Sequence, residues 1–307
     1  AWAAVPRLAT MRVSTVILPI YPWREGRDVW RSADDLGFHA AYTYDHLSWR
    51  SFRDGPWFGA VPTLAAAAGV TERVRLGTLV SSPNFREPVT FAKDVMTLDD
   101  LSGGRVTVGL GAGTTGFDAT VLGGEPWSAR ERADRLRDFT ILLDRLLTEP
   151  AVTHVEGHYR AHEARTIPGP VQSPRVPFAV AATGPRGLRL AARYGQAWVT
   201  TGDGRLGDDA TPAQSRAAVR DQVERLDAAC RDAGRDPGSV ARILLTGFTP
   251  DPALESVDAF VETAHGYAEA GITEIVVHRP IPGTQFAADE RVFEQIATDG
   301  AAQVARL

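Results

Sequence analysis

Residues Val74–Thr114 read VRLGTLVSSPNFREPVTFAKDVMTLDDLSGGRVTVGLGAGT, and the order of apolar runs and breakers in them decides the fold. Val74–Val80 is a short β-branched and leucine-rich run, the pattern of a strand buried on both faces. Pro88 suits a helix start, where its missing N–H is no loss and its fixed φ is already helical. Phe91, Val95 and Leu98 follow at helical spacing, and Gly103-Gly104 supplies the left-handed backbone that closes a helix. Arg105–Leu110 is a second strand, opening into the loop Gly111-Ala112-Gly113-Thr114. Two buried strands joined by a helix form a parallel βαβ unit.

The same unit recurs outward from this stretch. Upstream, strands are expected at Arg12–Leu18 and His39–Tyr44, with helices over Asp28–Leu36 and Trp57–Ala68. Downstream, Ser128 and Glu131 have capping-box spacing ahead of a long helix faced by Leu136, Phe139, Leu143 and Leu147. Residues 152–174 interrupt the rhythm with short alternating runs, Gly157 and three prolines, which suggests a hairpin-like insertion. Strands five to eight follow at Phe178–Ala182, Ala197–Thr201, Val240–Thr246 and Ile272–His278. Helices are expected from Pro185 to Tyr194, about Pro212 to Ala233, Glu255 to Ala270, and from about Ala288. Eight strand–helix units make this an α/β chain of the (β/α)8 TIM-barrel type, with an insertion at about 151–175 before strand five. An open doubly wound sheet usually carries its glycine fingerprint after the first strand, where this chain has Pro19-Ile20-Tyr21-Pro22.

Composition narrows the classes. At 307 residues with 44% apolar content, one barrel domain over 11–307 can bury a core without staples, leaving residues 1–10 as an N-terminal extension. Cys230 is the sole cysteine, which excludes an internal disulfide and suits a cytoplasmic setting. A net charge of −5 gives no footprint for nucleic acid, and no apolar run has membrane-spanning length. Lys93 is the only lysine, so lysine nucleophiles and P-loop lysines are excluded elsewhere.

Barrel chemistry gathers at the C-terminal ends of strands. Asp45-His46 stands at the end of strand two, where His46 can exchange protons near neutral pH and Asp45 can influence its charge. A strand-end histidine bonded to a loop carbonyl is the structural alternative. Thr183-Gly184-Pro185-Arg186-Gly187 combines a helix start with an arginine, which suits an anion or is an ordinary loop. Gly111-Ala-Gly-Thr-Thr-Gly116 matches GxGxxG but follows the fourth strand and precedes no immediate helix. It reads as room for a flat ligand. His154, His158 and His162 lie four apart in a segment patterned as β, which argues against a helical metal site, and no metal is expected. Trp49 and Trp57 could wall a pocket or belong to the core. Tyr21, Thr114, His278 and Arg279 are strand-end candidates for substrate contact, with a structural ion pair as the alternative for Arg279.

Tyr44-Asp-His-Leu-Ser-Trp49, Ser82-Pro-Asn-Phe-Arg86, Leu98–Arg105, Gly109–Gly113, Pro170–Pro174 and Ala192–Trp198 resemble the bacterial luciferase-like family of flavin- and deazaflavin-dependent oxidoreductases. The resemblance covers Met11 to Leu307. It implies a site for coenzyme F420 or FMN at the barrel mouth and a non-proline cis peptide around Leu79-Val80-Ser81. It also implies cofactor contacts from Trp49, Gly111, Ala112 and Gly113, and a phosphate cradle at Thr183–Gly187. His46 matches a histidine with acid–base or ligand-positioning roles. Deazaflavin relatives often carry a glutamate where this chain has Thr114, and Asp118 is the nearest replacement. They often have one more residue before the tryptophan, and a lysine clamp for a phosphorylated sugar has no counterpart here. The implied activity is F420-dependent hydride transfer to or from a small organic molecule, with His46 as proton donor or acceptor. Alternatives are an FMN-dependent monooxygenase fed by a separate reductase, and a flavin-binding barrel without turnover. A homodimer is the expected assembly.

Overall fold

A computed structural model describes residues 10–207 and 209–305. The strands in chain order are β1 (Arg12–Val16), β2 (Ala40–Thr43), β3 (Arg75–Ser81), β4 (Val106–Gly111), β5 (Ala151–His154), β6 (Ala161–Arg165), β7 (Phe178–Ala181), β8 (Ala197–Thr200), β9 (Ala241–Leu245) and β10 (Glu274–His278). Eight of them close a barrel in the order β1-β10-β9-β8-β7-β4-β3-β2. The registered pairs among these eight are parallel, as in Leu76 opposite Val106 and Val108 opposite Phe178. β5 and β6 pair antiparallel outside the barrel, so the break in rhythm is a hairpin. The residue expectations for 1–10 fall, apart from Thr10, outside the described residues.

The contacts divide the chain into two compact units. One holds residues up to Ile17, Ser32–Ala41 and Ala182 onward; the other holds Leu18–Arg31 and Tyr42–Ala181. In the second unit, α3 (Pro88–Leu101) begins at Pro88, as its φ prefers, and ends at Gly103 and Gly104 with φ of 63° and 84°. Phe91, Val95 and Leu98 face its core, while Lys93 is exposed. In the first unit, Glu274 on β10 is buried yet accepts the Ser14 hydroxyl at 2.7 Å, so the polar base of these strands is satisfied.

Among the boundaries that differ from expectation, three have a local cause in the loops after β1 and β2. β1 ends at Val16 because the Ile20 N–H turns back onto the Leu18 carbonyl. α1 (Trp23–Asp35) starts five residues before Asp28, its first turn donating from Glu25 and Gly26 to the Pro22 carbonyl. α2 (Ala60–Ala68) starts after Trp57, because the Phe58 N–H is taken by the Pro19 carbonyl and Gly59 is extended. In α4 (Ala129–Thr148), Ser128 accepts the Glu131 N–H, but the Glu131 carboxylate is drawn to Arg135 at 3.1 Å instead of closing the box. No described helix is long and apolar enough to cross a membrane.

Candidate active site

In the second unit the ends of β2, β3 and β4 carry a connected polar cluster. Asp45, two residues past β2, is buried and accepts the Ser81 hydroxyl at 2.6 Å. Arg86 holds the same carboxylate with two N–H groups, at 2.6 and 2.9 Å. This fork-shaped pair is the strong form of an arginine–carboxylate contact. Asp45 was expected to act on His46, and the structure corrects that: its carboxylate is turned to Arg86 and Ser81.

The carboxylate on His46 is that of Asp118. Asp118 lies in a single 3₁₀ turn, Phe117–Ala119, and is buried. Its Oδ2 meets His46 Nδ1, while its Oδ1 accepts the N–H groups of Leu47 at 2.7 Å and Ser48 at 3.2 Å. The His46 carbonyl accepts the indole N–H of Trp57 at 2.8 Å. The His46 side chain remains about a quarter exposed. Trp49 is buried, stacked on Trp57 with ring centroids 6.4 Å apart and edge-on to Tyr44 at 5.3 Å. Both readings of the tryptophans therefore meet in one aromatic cluster beside His46. Burial pushes the Tyr44 phenol pKa far up, so it stays neutral.

The peptide bond between Leu79 and Val80 is cis, where the resemblance placed one. The Val80 side chain lies over β4: a Cβ at Gly111 would sit 2.5 Å from its Cγ2, and one at Gly109 2.9 Å from its Cγ1. Val80 thus excludes a side chain at Gly111, and at Gly109 the Thr78 carbonyl, 2.2 Å from where a Cβ would sit, excludes one together with Val80. Gly113 has φ 71° and packs on Asn84, whose amide donates to the Thr114 carbonyl at 3.1 Å. Ala112 is half-buried in this loop. The Thr114 hydroxyl accepts the Gly116 N–H, ordering its own turn. Tyr21 is half-buried in the loop after β1. His154 and His162 lie on the hairpin strands and His158 bonds Asp138 at 2.6 Å, so the three do not share a helix face. Among the described residues, no three His, Cys, Asp or Glu side chains form a metal-holding group.

In the first unit, α5 (Pro185–Tyr194) opens with Pro185 at its first turn and no side-chain cap. Thr183, Gly184, Pro185 and Arg186 are exposed, and the Thr183 carbonyl accepts Arg225 at 3.2 Å. His278 ends β10 fully buried, stacked on Phe286 at 3.8 Å with Phe248 edge-on. Burial drives its pKa down to about 3, opposed by a backbone hydrogen bond at Thr246. Arg279 bonds Ser32 Oγ at 3.0 Å and the Glu290 carboxylate, a structural ion pair.

Sequence reasoning assigned no role to Arg86 or Asn84. Arg86 stood within the family-like Ser-Pro-Asn-Phe-Arg run, a signal that was available. Asn84 stands in the same run, but its partner Thr114 is 30 residues away.

A family profile described as luciferase-like monooxygenase matches residues 2–303. The chain belongs to that family. This luciferase-like chain is 38% identical over 219 residues to an F420-dependent glucose-6-phosphate dehydrogenase of Intrasporangium calvum, a match covering 67% of the chain and 65% of the relative. It is 32% identical over 272 residues to the protein of the same name from Kineococcus radiotolerans, covering 86% and 75%. The chain spans less than two thirds of the first relative's length, and about half that of others with this name. Among solved structures, an F420-dependent secondary alcohol dehydrogenase in complex with an F420-acetone adduct superposes with a TM-score of 0.78 at 18% identity, covering 95% of this chain and 99% of that one. At that identity the match shows the shared barrel.

Proposed function

We propose that this luciferase-like barrel is an F420-dependent oxidoreductase that moves a hydride between the deazaflavin and a small alcohol or its carbonyl. The observation that carries this reading is His46: it is partly exposed at a strand end, with Nδ1 engaged by a buried carboxylate and Nε2 left to exchange a proton. Its proton partner is the substrate oxygen. The names of the relatives supply the cofactor.

The residues present fit that cofactor. Ser48 Oγ and Asn84 Oδ1 are buried atoms with no hydrogen-bond partner, of the kind that the N–H and carbonyl groups of a heteroaromatic ring satisfy. The uncapped first turn of α5, with Gly184 facing open space, offers N–H groups and the positive end of a helix dipole to a phosphate. In this reading Trp49, Leu79, Val80, Ser81, Gly111, Ala112 and Gly113 of the second unit hold the ring, and the Thr183–Arg186 turn of the first unit is by itself suited to a phosphate. When bound, the deazaflavin supplies the hydride chemistry. The protein supplies orientation, an apolar aromatic wall at Trp49, Phe52 and Trp57, and a proton site at His46 Nε2.

The substrate is read as uncharged. Lys93 is exposed on α3 and Arg279 is committed to Glu290, so the lysine clamp for a sugar phosphate has no counterpart. Residues 11–307 act as one catalytic domain in this reading, working as a homodimer. A second reading, an FMN-dependent monooxygenase served by a separate reductase, is favoured by the description of the matching family.

Titrating the purified protein with F420 and, separately, with FMN tests the two readings through tryptophan fluorescence. Binding of F420 alone, followed by turnover of neutral alcohols or carbonyls but not glucose 6-phosphate, is the expected result. Binding of FMN alone, with oxygen uptake on reduction, would replace the first reading by the second. Sedimentation analysis checks the dimer.

A further inference from the structure

We propose that Asp118 is a positioning residue that holds His46 in its Nδ1–H tautomer, so that Nε2 alone carries protons to and from substrate and the Asp118 carboxyl never does. This rests on the reading of His46 as the proton-transfer residue. It goes against the simplest use of Asp118, as an independent acid standing in for the glutamate that Thr114 replaces.

The geometry separates the two roles. Asp118 has two carboxylate oxygens, and both face donors. Oδ1 accepts two backbone N–H groups, from Leu47 and Ser48, and Oδ2 faces His46 Nδ1. Oδ1 is thereby taken up by two backbone donors, and Oδ2 is turned to the imidazole. The side chain is 5% exposed, so it has no open path to a substrate. A carboxylate on Nδ1 fixes both the tautomer and the ring orientation of a histidine, and stabilises the imidazolium when Nε2 takes a proton.

The supports extend to both sides of the pair. The Trp57 indole holds the His46 carbonyl, and the Tyr44 and Trp57 rings flank the imidazole at 5.9 and 6.4 Å. The Arg53 guanidinium lies over the Phe117 ring, 4.4 Å from its centroid, on the turn that carries Asp118. Asp45, one residue before His46, is neutralised by Arg86 and does not compete for the ring. In alcohol oxidation the substrate O–H bond breaks and its proton forms the new N–H bond at Nε2. The C=O bond would form as the carbinol hydrogen leaves as hydride, the chemistry that a deazaflavin held by Trp49 and Gly111–Gly113 would supply. Reduction is the reverse, with the Nε2 proton delivered to the oxygen.

The test reads the tautomer directly. Protein labelled with ¹⁵N-histidine is examined by long-range ¹H–¹⁵N correlation at alkaline pH, with His46→Gln assigning the resonances. The wild type is expected to show His46 as Nδ1–H, the form free histidine disfavours. Asp118→Asn keeps an oxygen for Leu47 and Ser48 but presents N–H to Nδ1, so His46 should switch to Nε2–H with melting temperature unchanged. Turnover should then fall about 10²–10⁴-fold, the range for a lost acid–base contribution, with substrate KM and F420 affinity within about threefold. A wild-type Nε2–H tautomer, or an Asp118→Asn enzyme that keeps its turnover, would overturn the proposal. Failure of F420 to bind the wild type would sink the cofactor reading, while the tautomer measurement would still decide the role of Asp118.

Discussion

His46 and His278 both stand at barrel strand ends, yet the chain treats them in opposite ways. His46 is partly exposed and faces a buried carboxylate that is itself held by backbone N–H groups. His278 is fully buried between aromatic rings, and burial pushes its pKa down to about 3. In the proposed function the first exchanges a proton with substrate, while the second stays neutral as a flat packing group. Position on a barrel strand therefore nominates a histidine, and its neighbours decide its chemistry.

Removing His46 should give the largest change. His46→Ala is expected to lower turnover about 10²–10⁴-fold while F420 affinity stays within about threefold. Stopped-flow absorbance of the deazaflavin checks the rate and fluorescence titration the affinity; near-normal turnover would erase the contrast between the two histidines. Next in size is the anchor beneath His46. Asp45→Ala strands the Arg86 guanidinium, and urea unfolding should show a loss of about 3 kcal/mol. A loss well under 1 kcal/mol would mean that the fork contributes nothing to the polar strand ends.

His278 makes its prediction through pH. The unfolded chain binds a proton near the ordinary histidine pKa, whereas the folded chain resists it down to about 3. Stability is thus fully present above pH 6.5 and falls as pH drops through that window, by about 1.4 kcal/mol per pH unit from this group. His278→Phe should flatten this part of the stability–pH curve, measured by urea unfolding from pH 7 to pH 4. An unaltered slope would place the proton uptake elsewhere. The smallest effect belongs to Glu290→Gln. Glu290 is 44% exposed in its pair with Arg279, so the change should cost about 0.5 kcal/mol and leave turnover intact. A shift in substrate KM would instead return Arg279 to the site.

The barrel was legible because its information is local. Apolar runs, Pro88, the Gly103-Gly104 stop and the prolines around the hairpin each report on neighbours a few residues away. Even so, local patterns compete: Glu131 has capping-box spacing after Ser128, but Arg135 one turn on takes its carboxylate. The complete reciprocal box formed at Thr211 and Gln214 instead, at the start of α6 (Pro212–Asp232). The site was legible only in part. His46 followed from its strand-end place, but its partner lies 72 residues away, and that of Asp45 lies 41 away. Nothing in the spacing tells which of Asp45 and Asp118 reaches the imidazole; the 3₁₀ turn at Phe117–Ala119 decides it.

The one thiol of the chain, Cys230, is on α6 in the first unit, fully buried, and burial raises its pKa. A thiol reagent added to the native protein can therefore react only with molecules in which that helix has swung open. The rate of alkylation counts those openings, one sulfur per chain, with no competing signal from any other cysteine. The chain thus carries its own clock for the breathing of that unit, readable with or without cofactor and without any added probe.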